Sequence, residues 1–214
     1  GVQTCALPIS SSAGNEASHT ALDARHAREH FGLDPDRRTI LCFGGSLGAR
    51  TLNDAVRRAA PGLVSDGMNI LWQTGKNMTP DEVRDALQNL PNVRAVDYIY
   101  DMEHAYAAAD LVVCRAGASS LAELARLGKP AVLVPWSKAA ADHQVANARA
   151  FERAGAAVVL TDDEVADRLL EVVLALSRDP DRVRSMSQAM HDRDAPHAAT
   201  TVAAWLIGRL SHEH

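Results

Sequence analysis

The sequence predicts an open, doubly wound α/β domain built on a mostly parallel six-stranded sheet, and three observations predict it. Short apolar runs alternate with amphipathic stretches from residue 37 onward. Strands that are apolar throughout, rather than at every second residue, suit a parallel sheet covered by helices on both faces. Two of the runs end in glycine-rich turns, "FGGSLGAR" (43–50) and "CRAGASS" (114–120), that lead straight into helices. Ligands of such sheets gather beyond the carboxyl ends of the strands.

The elements follow in order. "RTILCF", ending at Phe43, reads as the first strand, with Thr39 and Ile40 β-branched; a glycine turn and the helix "ARTLNDAVRRAA" follow. "MNILWQT" is the second strand, and "TPDEVRDALQNL" a helix with Thr79 as N-cap and Pro80 at its first position. "NVRAVDYI" is the third strand, followed by "DMEHAYAAA", a short helix capped by Asp101. "DLVVCR" is the fourth, running into the second glycine turn and the helix "ASSLAELARLG". "PAVLVPW" is the fifth, then "ADHQVANARAFERAG", closed by Gly155. "AAVVL" is the sixth, with "DDEVADRLLEVVLALS" behind it; "DRVRSMSQAM" and "HAATTVAAWLIGRL" finish the chain as helices. Residues 10–36 read as a polar linker and a helix, "ALDARHAREHFGL". "GVQTCALPI" matches nothing downstream, so it is taken as a non-native start and set aside from the fold.

Bulk properties narrow the function. The 214 residues, 47% of them hydrophobic, suffice for a sizeable core. The formal charge of −5, from 22 basic and 27 acidic residues, has both signs dispersed and leaves no footprint for nucleic acid. No apolar stretch approaches the roughly 20 residues that cross a bilayer. Cys5, Cys42 and Cys114 form no CxxC pair; Cys42 and Cys114 close apolar runs and read as buried, reduced thiols of a cytosolic protein.

The chemistry lies in the turns. "FGGSLGAR" is no dinucleotide fingerprint, because Phe43 holds the place of its first glycine and the second strand ends in Trp72-Gln73-Thr74 with no acid for a ribose. It is no Walker A loop either, lacking Gly-Lys-Ser/Thr. Each turn alone reads as a tight strand-to-helix connection. Together they offer more: Gly44, Gly45 and Gly48 free backbone N–H groups to face outward, Ser46 adds a hydroxyl, and Gly117, Ala118, Ser119 and Ser120 bare a helix start. Such a start carries about half a positive charge and binds anions such as a pyrophosphate. The second turn's helix is expected to bury Ala118, Leu121, Ala122 and Ala125, with Ser119, Ser120 and Glu123 on another face. Glu123 is then either an acceptor for a sugar diol over the first turn or a capping-box partner of Ser120. In "ADHQVANA", Asp142 is a candidate cap, and Gln144 offers both donor and acceptor to a sugar hydroxyl. His143 begins a helix, where histidine is ordinarily solvated, and is not assigned as a base. The eight other histidines are scattered, and no residue is assigned to a metal.

These segments carry a family resemblance. "FGGSLGARTLN", "DYIYDMEHAYAAADLVVCRAGASSLAELARLGKPAVLVPW" and "DHQVANARAFERAGAA", in this order and spacing, resemble the N-acetylglucosaminyltransferases of peptidoglycan synthesis that convert lipid I to lipid II. Those enzymes have a two-domain GT-B fold, and the resemblance, over residues 37–210, is to the C-terminal, donor-binding half. It implies residues 37–214 as a UDP-sugar donor-binding domain. It implies Gly45 and Ser46 at the donor's phosphates, Ile99 holding uracil through its backbone, Ala118, Ser119 and Ser120 at the pyrophosphate, Glu123 at the ribose and Gln144 at the N-acetylglucosamine. Leu47 departs from the family, where many members carry Gln. It further implies UDP-N-acetylglucosamine and undecaprenyl-linked lipid I as partners, catalytic residues in an N-terminal half that nothing before Arg37 resembles, and a peripheral place on the cytoplasmic face of the bacterial plasma membrane. No cofactor is expected to bind tightly; a divalent cation assists, since no acid pair sits at a strand end as an anchor and Asp162-Asp163 reads as a helix cap. The last helix, with Val202, Trp205 and Leu206, resembles the segment that crosses to the other domain, and its apolar face is expected to support self-association. Two other readings share this architecture: a UDP-N-acetylglucosamine 2-epimerase, and a donor-binding subunit of a split transferase with a membrane partner.

Overall fold

The computed structural model describes residues 23–45, 49–88, 90–136 and 143–194. The six strands are β1 (Thr39–Phe43), β2 (Asn69–Gln73), β3 (Val93–Val96), β4 (Leu111–Cys114), β5 (Ala131–Leu133) and β6 (Ala157–Val159). They form one sheet in the order β3-β2-β1-β4-β5-β6, every pair parallel. The order runs outward in both directions from β1, so the connection from β3 to β4 reverses the winding. β1 and β4 are therefore neighbours at the switch point, with Phe43 paired to Cys114 at their carboxyl ends.

The α-helices among the described residues are α1 (Ala24–His30), α2 (Arg50–Ser65), α3 (Pro80–Ala86), α4 (Met102–Ala108), α5 (Ala118–Leu127), α6 (His143–Arg153), α7 (Asp162–Ser177) and α8 (Pro180–His191). They cover both faces, which is why all five residues of β1 are buried. Ile40 and Cys42 join the core that Leu52, Val56 and Leu63 of α2 share with Val165 and Leu169 of α7. Leu41 and Phe43 point the other way, to Tyr106 of α4, Leu121 and Leu124 of α5 and Met190 of α8. α1 belongs to this second layer: Ala27 is fully buried, and Arg28 bonds Asp110 just before β4 at 2.9 Å.

Several expected boundaries move, each for a local reason. α2 runs past Ala60 to Ser65 with Pro61 inside it. Pro61 is exposed, so water can satisfy the carbonyl left unpaired one turn earlier, while Leu63 continues the buried stripe. Gly62 lets α2 approach α7, since a Cβ there would lie 2.8 Å from Leu170 Cδ2. β3 stops at Val96, after which the chain turns towards the end of β2. β5 is short, flanked by Pro130 and Pro135, although the Val134 N–H still donates to Cys114 O at 2.8 Å. On α5 the buried residues are Leu121, Leu124 and Ala125, whereas Ala118 and Ala122 are exposed, contrary to the expected stripe. The leucines set the face that meets the sheet, and the helix start projects beyond the strand ends. Cys42 and Cys114 are free and buried, as expected. The expected final helix, the start at residues 1–22, and Asp142 lie outside the described residues.

Candidate functional site

The two glycine turns emerge side by side from β1 and β4, about 4.8 Å apart at their roots given the strand spacing. The first is forced tight by its own backbone. A Cβ on Gly44 would sit 2.6 Å from Ala49 Cβ and 2.7 Å from Ala49 N, and Gly45 has a φ of +91°, which L side chains rarely adopt. The second is different. Gly117 has an ordinary φ of −69°, and a Cβ there would meet nothing within 4 Å. No neighbouring atom demands glycine at 117, so the bare position leaves open space in front of the α5 start.

Among the helices whose caps are described, two turns differ from the rest. Asp23, Thr79, Asp101, Thr161 and Asp179 each accept a first-turn N–H at the starts of α1, α3, α4, α7 and α8. α2 and α5 begin at Ala49 and Gly117 with no side-chain cap and no acid in the first turn. Their leading N–H groups thus lack a side-chain partner, and both helices start at the carboxyl-end side of the sheet, where their dipoles are positive. Two helix starts without side-chain caps thus follow the neighbouring strands β1 and β4. Ser119 is exposed and Ser120 half-buried on the α5 start.

Three side chains fix the surroundings. Gln73, the last residue of β2 and almost fully buried, donates from Nε2 to Gly45 O at 3.1 Å and accepts the Ile99 N–H on Oε1 at 2.9 Å. It therefore ties the first glycine turn to the turn after β3. Ile99 points its side chain into the core and its N–H is already used, so a base would meet its carbonyl, which accepts no hydrogen bond among the described residues. Asn53, buried in α2, takes the Trp72 indole N–H at 3.1 Å and gives its own to Thr74 O at 2.8 Å, which locks the α2 start against β2. Arg115, just past β4, donates to Val134 O at 3.0 Å and to Asp162 at 2.7 Å, joining the ends of β4 and β5 to the start of α7. Asp162 is therefore not the cap it was expected to be. Thr161 caps α7 in a capping box with Glu164, and Asp162 is engaged with Arg115.

Glu123 is exposed one turn into α5, and its Oε2 accepts the Tyr106 hydroxyl at 2.8 Å. The capping box with Ser120 does not form, since α5 has no side-chain cap. Tyr106 is only 3% exposed and meets Phe43 edge-on, ring centroids 6.2 Å apart. Burial, then the Glu123 carboxylate, pushes its phenol far above the ordinary tyrosine range, so it stays a donor. One carboxylate oxygen is thereby aimed, and the other is free to accept from a diol. At the far side, Gln144 accepts the Trp136 N–H at 3.1 Å, pinning the two ends of the segment 137–142. Trp136 is 48% exposed there.

Of the expected site residues, Gly45, Ala118, Ser119, Ser120 and Glu123 come together around the switch point, Ile99 is linked to them through Gln73, and Gln144 stands beyond β5. Ser46 lies outside the described residues. Sequence reading misses Gln73, Tyr106 and Arg115. An open cavity lined by Arg38, Ile40, Asp110, Leu111, Ser177 and Pro180 sits at the opposite, amino-terminal edge of the sheet, away from every one of these groups.

The model of the glycosyltransferase family 28 C-terminal domain matches residues 39–202. A UDP-N-acetylglucosamine–N-acetylmuramyl-(pentapeptide) pyrophosphoryl-undecaprenol N-acetylglucosamine transferase of Salinibacter ruber is 45% identical over 193 residues, 89% of this chain and 52% of the relative. The protein of the same name from Chlorobium luteolum is 44% identical over 203 residues, 94% and 55% of the two chains. Among solved structures, MurG of Acinetobacter baumannii superposes with a TM-score of 0.71 at 29% identity, covering 87% of this chain and 53% of that one. The chain thus spans about half the length of the relatives it matches.

Proposed function

The chain belongs to the glycosyltransferase family 28 C-terminal domain family, and from that premise we propose that it is the donor-binding half of an N-acetylglucosaminyltransferase of peptidoglycan synthesis. Its donor is UDP-N-acetylglucosamine and the acceptor of the intact enzyme is lipid I. The observation that carries the reading is the pair of uncapped helix starts that follow the neighbouring strands β1 and β4 at the switch point. The pyrophosphate lies over these N–H groups with Ser46, Ser119 and Ser120 beside it. Uracil meets the backbone at Ile99, the ribose hydroxyls donate to Glu123, and the sugar extends towards Gln144.

Chemistry follows from that placement. The acceptor hydroxyl forms a bond to the anomeric carbon as the bond from that carbon to the β-phosphate oxygen breaks, inverting the centre. Charge grows on the departing UDP, where preoriented N–H groups stabilise it without reorganisation. A divalent cation would assist from solvent; Asp162, at the start of α7, is held by Arg115. The acceptor, the base that takes its proton and the membrane contact belong to a second domain, in keeping with the need for closure across a cleft before transfer. Among the described residues no helix is long and apolar enough to cross a membrane, and attachment to the cytoplasmic face is proposed as peripheral through that second domain. Self-association through the expected last helix stays part of this proposal.

Calorimetric titration tests the reading. The chain binds UDP and UDP-N-acetylglucosamine, Glu123→Ala weakens both, and no N-acetylglucosamine is transferred to a lipid I analogue. Absence of heat from either nucleotide would overturn the assignment.

A further inference from the structure

We propose that His30, Asp101 and His104 form a binding site for a divalent first-row transition metal ion, with zinc the best match. The cluster shares no side chain with the nucleotide reading, although Ile99 lines the cavity beside it. His30 ends α1, Asp101 caps α4, and His104 lies in the first turn of α4. Their ligand atoms all fall within 4.8 Å of one another. His104 Nδ1 is 2.7 Å and His30 Nε2 is 3.7 Å from the same oxygen, Asp101 Oδ2.

The cluster is preorganised in three ways. Asp101 Oδ1 is committed to the His104 backbone N–H at 3.2 Å, which fixes the carboxylate and leaves Oδ2 facing both imidazoles. The two rings stack at 4.5 Å, 25° from parallel, and His30 is held edge-on by Phe31 at 4.9 Å. His104 Nδ1 is buried without a well-directed hydrogen-bond partner, 2.7 Å from Asp101 Oδ2. Two imidazole nitrogens and one carboxylate oxygen are a donor set for zinc rather than for magnesium or calcium, which take oxygen ligands. Bonds of about 2.1 Å put tetrahedral ligands about 3.4 Å apart, within about an ångström of the 2.7 and 3.7 Å between Asp101 Oδ2 and the two imidazoles. His30 and Asp101 also line an open cavity with Phe31, Arg94, Tyr98 and Tyr100, which admits water or a small ligand to the fourth position. The ion would clip α1 to α4 and to the turn that carries Ile99.

Equilibrium dialysis of the full chain against ZnCl2 decides the matter, with His30→Ala and His104→Gln as variants and Co2+ absorption as a second readout. Both histidines are partly exposed, so each variant is expected to melt near wild type without metal. The proposal requires one equivalent of zinc, weakened at least tenfold by either substitution, and ligand-field bands of four-coordinate Co2+ that both substitutions abolish. His197, His212 and His214 offer competing ligands, so the test rests on the variants rather than on binding alone. No stoichiometric binding, or binding and bands that survive both substitutions, overturns the proposal.

Discussion

Replacing Glu123 by alanine has two separable consequences, and a second substitution distinguishes them. The change removes the acceptor of the Tyr106 hydroxyl, a buried group with no other hydrogen-bond partner among the described residues. An unsatisfied buried hydroxyl costs about 1–3 kcal/mol. Glu123 is itself exposed, so water entering the vacated space rescues part of that cost. We expect about 1–1.5 kcal/mol, which for a chain of this size is roughly 3–5 °C in Tm. If Glu123 accepts from the ribose diol as proposed, the same change removes charge-assisted bonds of about 1.5–3 kcal/mol, or roughly a 10- to 100-fold loss of UDP affinity. Tyr106→Phe in the same chain deletes the stranded hydroxyl. The double variant should regain most of the lost Tm and none of the lost affinity, read by differential scanning calorimetry and by UDP titration. Equal recovery of both quantities, or a Glu123→Ala protein indistinguishable from wild type, would refute the assignment of Tyr106 as the residue that aims this carboxylate.

Further expectations follow from the same contacts. Gln73→Leu strands Gly45 O and the Ile99 N–H at once; thermal melting should show a loss of about 2 kcal/mol, together with weaker UDP binding. Gly44→Ala drives a methyl into Ala49 and should destabilise the fold by about 2 kcal/mol or more, whereas Gly117→Ala should melt like wild type yet bind UDP at least tenfold more weakly, because its methyl fills only space left for the ligand. Burial pushes the Cys114 thiol up to about 12, with the Glu123 charge as the lesser cause, and Cys42 further still. The unfolded chain therefore releases protons first, so stability held below pH 9 should fall as pH rises from about 9 towards 12, and native protein should resist alkylation at both positions.

The strands and their turns are legible because burial on both faces leaves uninterrupted apolar runs, and the two glycine turns stand out because each interrupts such a run before a helix. That they adjoin is not legible from spacing: residues 43 and 114 meet only because β4 inserts beside β1 rather than beside β3. The missed residues share this cause. Tyr106 looks in the sequence like one apolar position in a short helix, and its role comes from a partner 17 residues away on another helix. Gln73 reads only as the lack of a ribose-binding acid, although its amide, with one donor end and one acceptor end, serves two loops from different strands. Pro61 misplaces the end of α2, since proline is unfavourable inside a helix, but its exposed position and the close α2–α7 contact at Gly62 outweigh that preference. The stripe expected on α5 errs by counting alanines as core when the leucines decide which face meets the sheet.

Amide chemical-shift mapping during a UDP titration of the isotopically labelled chain tests the account where it is most exposed. Gly44, Gly45, Gly117, Ala118, Ser119 and Ser120 should move together and saturate at one equivalent, with Ile99 and Glu123 following the same curve. Shifts confined to the opposite sheet edge, around Arg38, Leu111 and Ser177, or no saturable shift at the two uncapped helix starts, would contradict it.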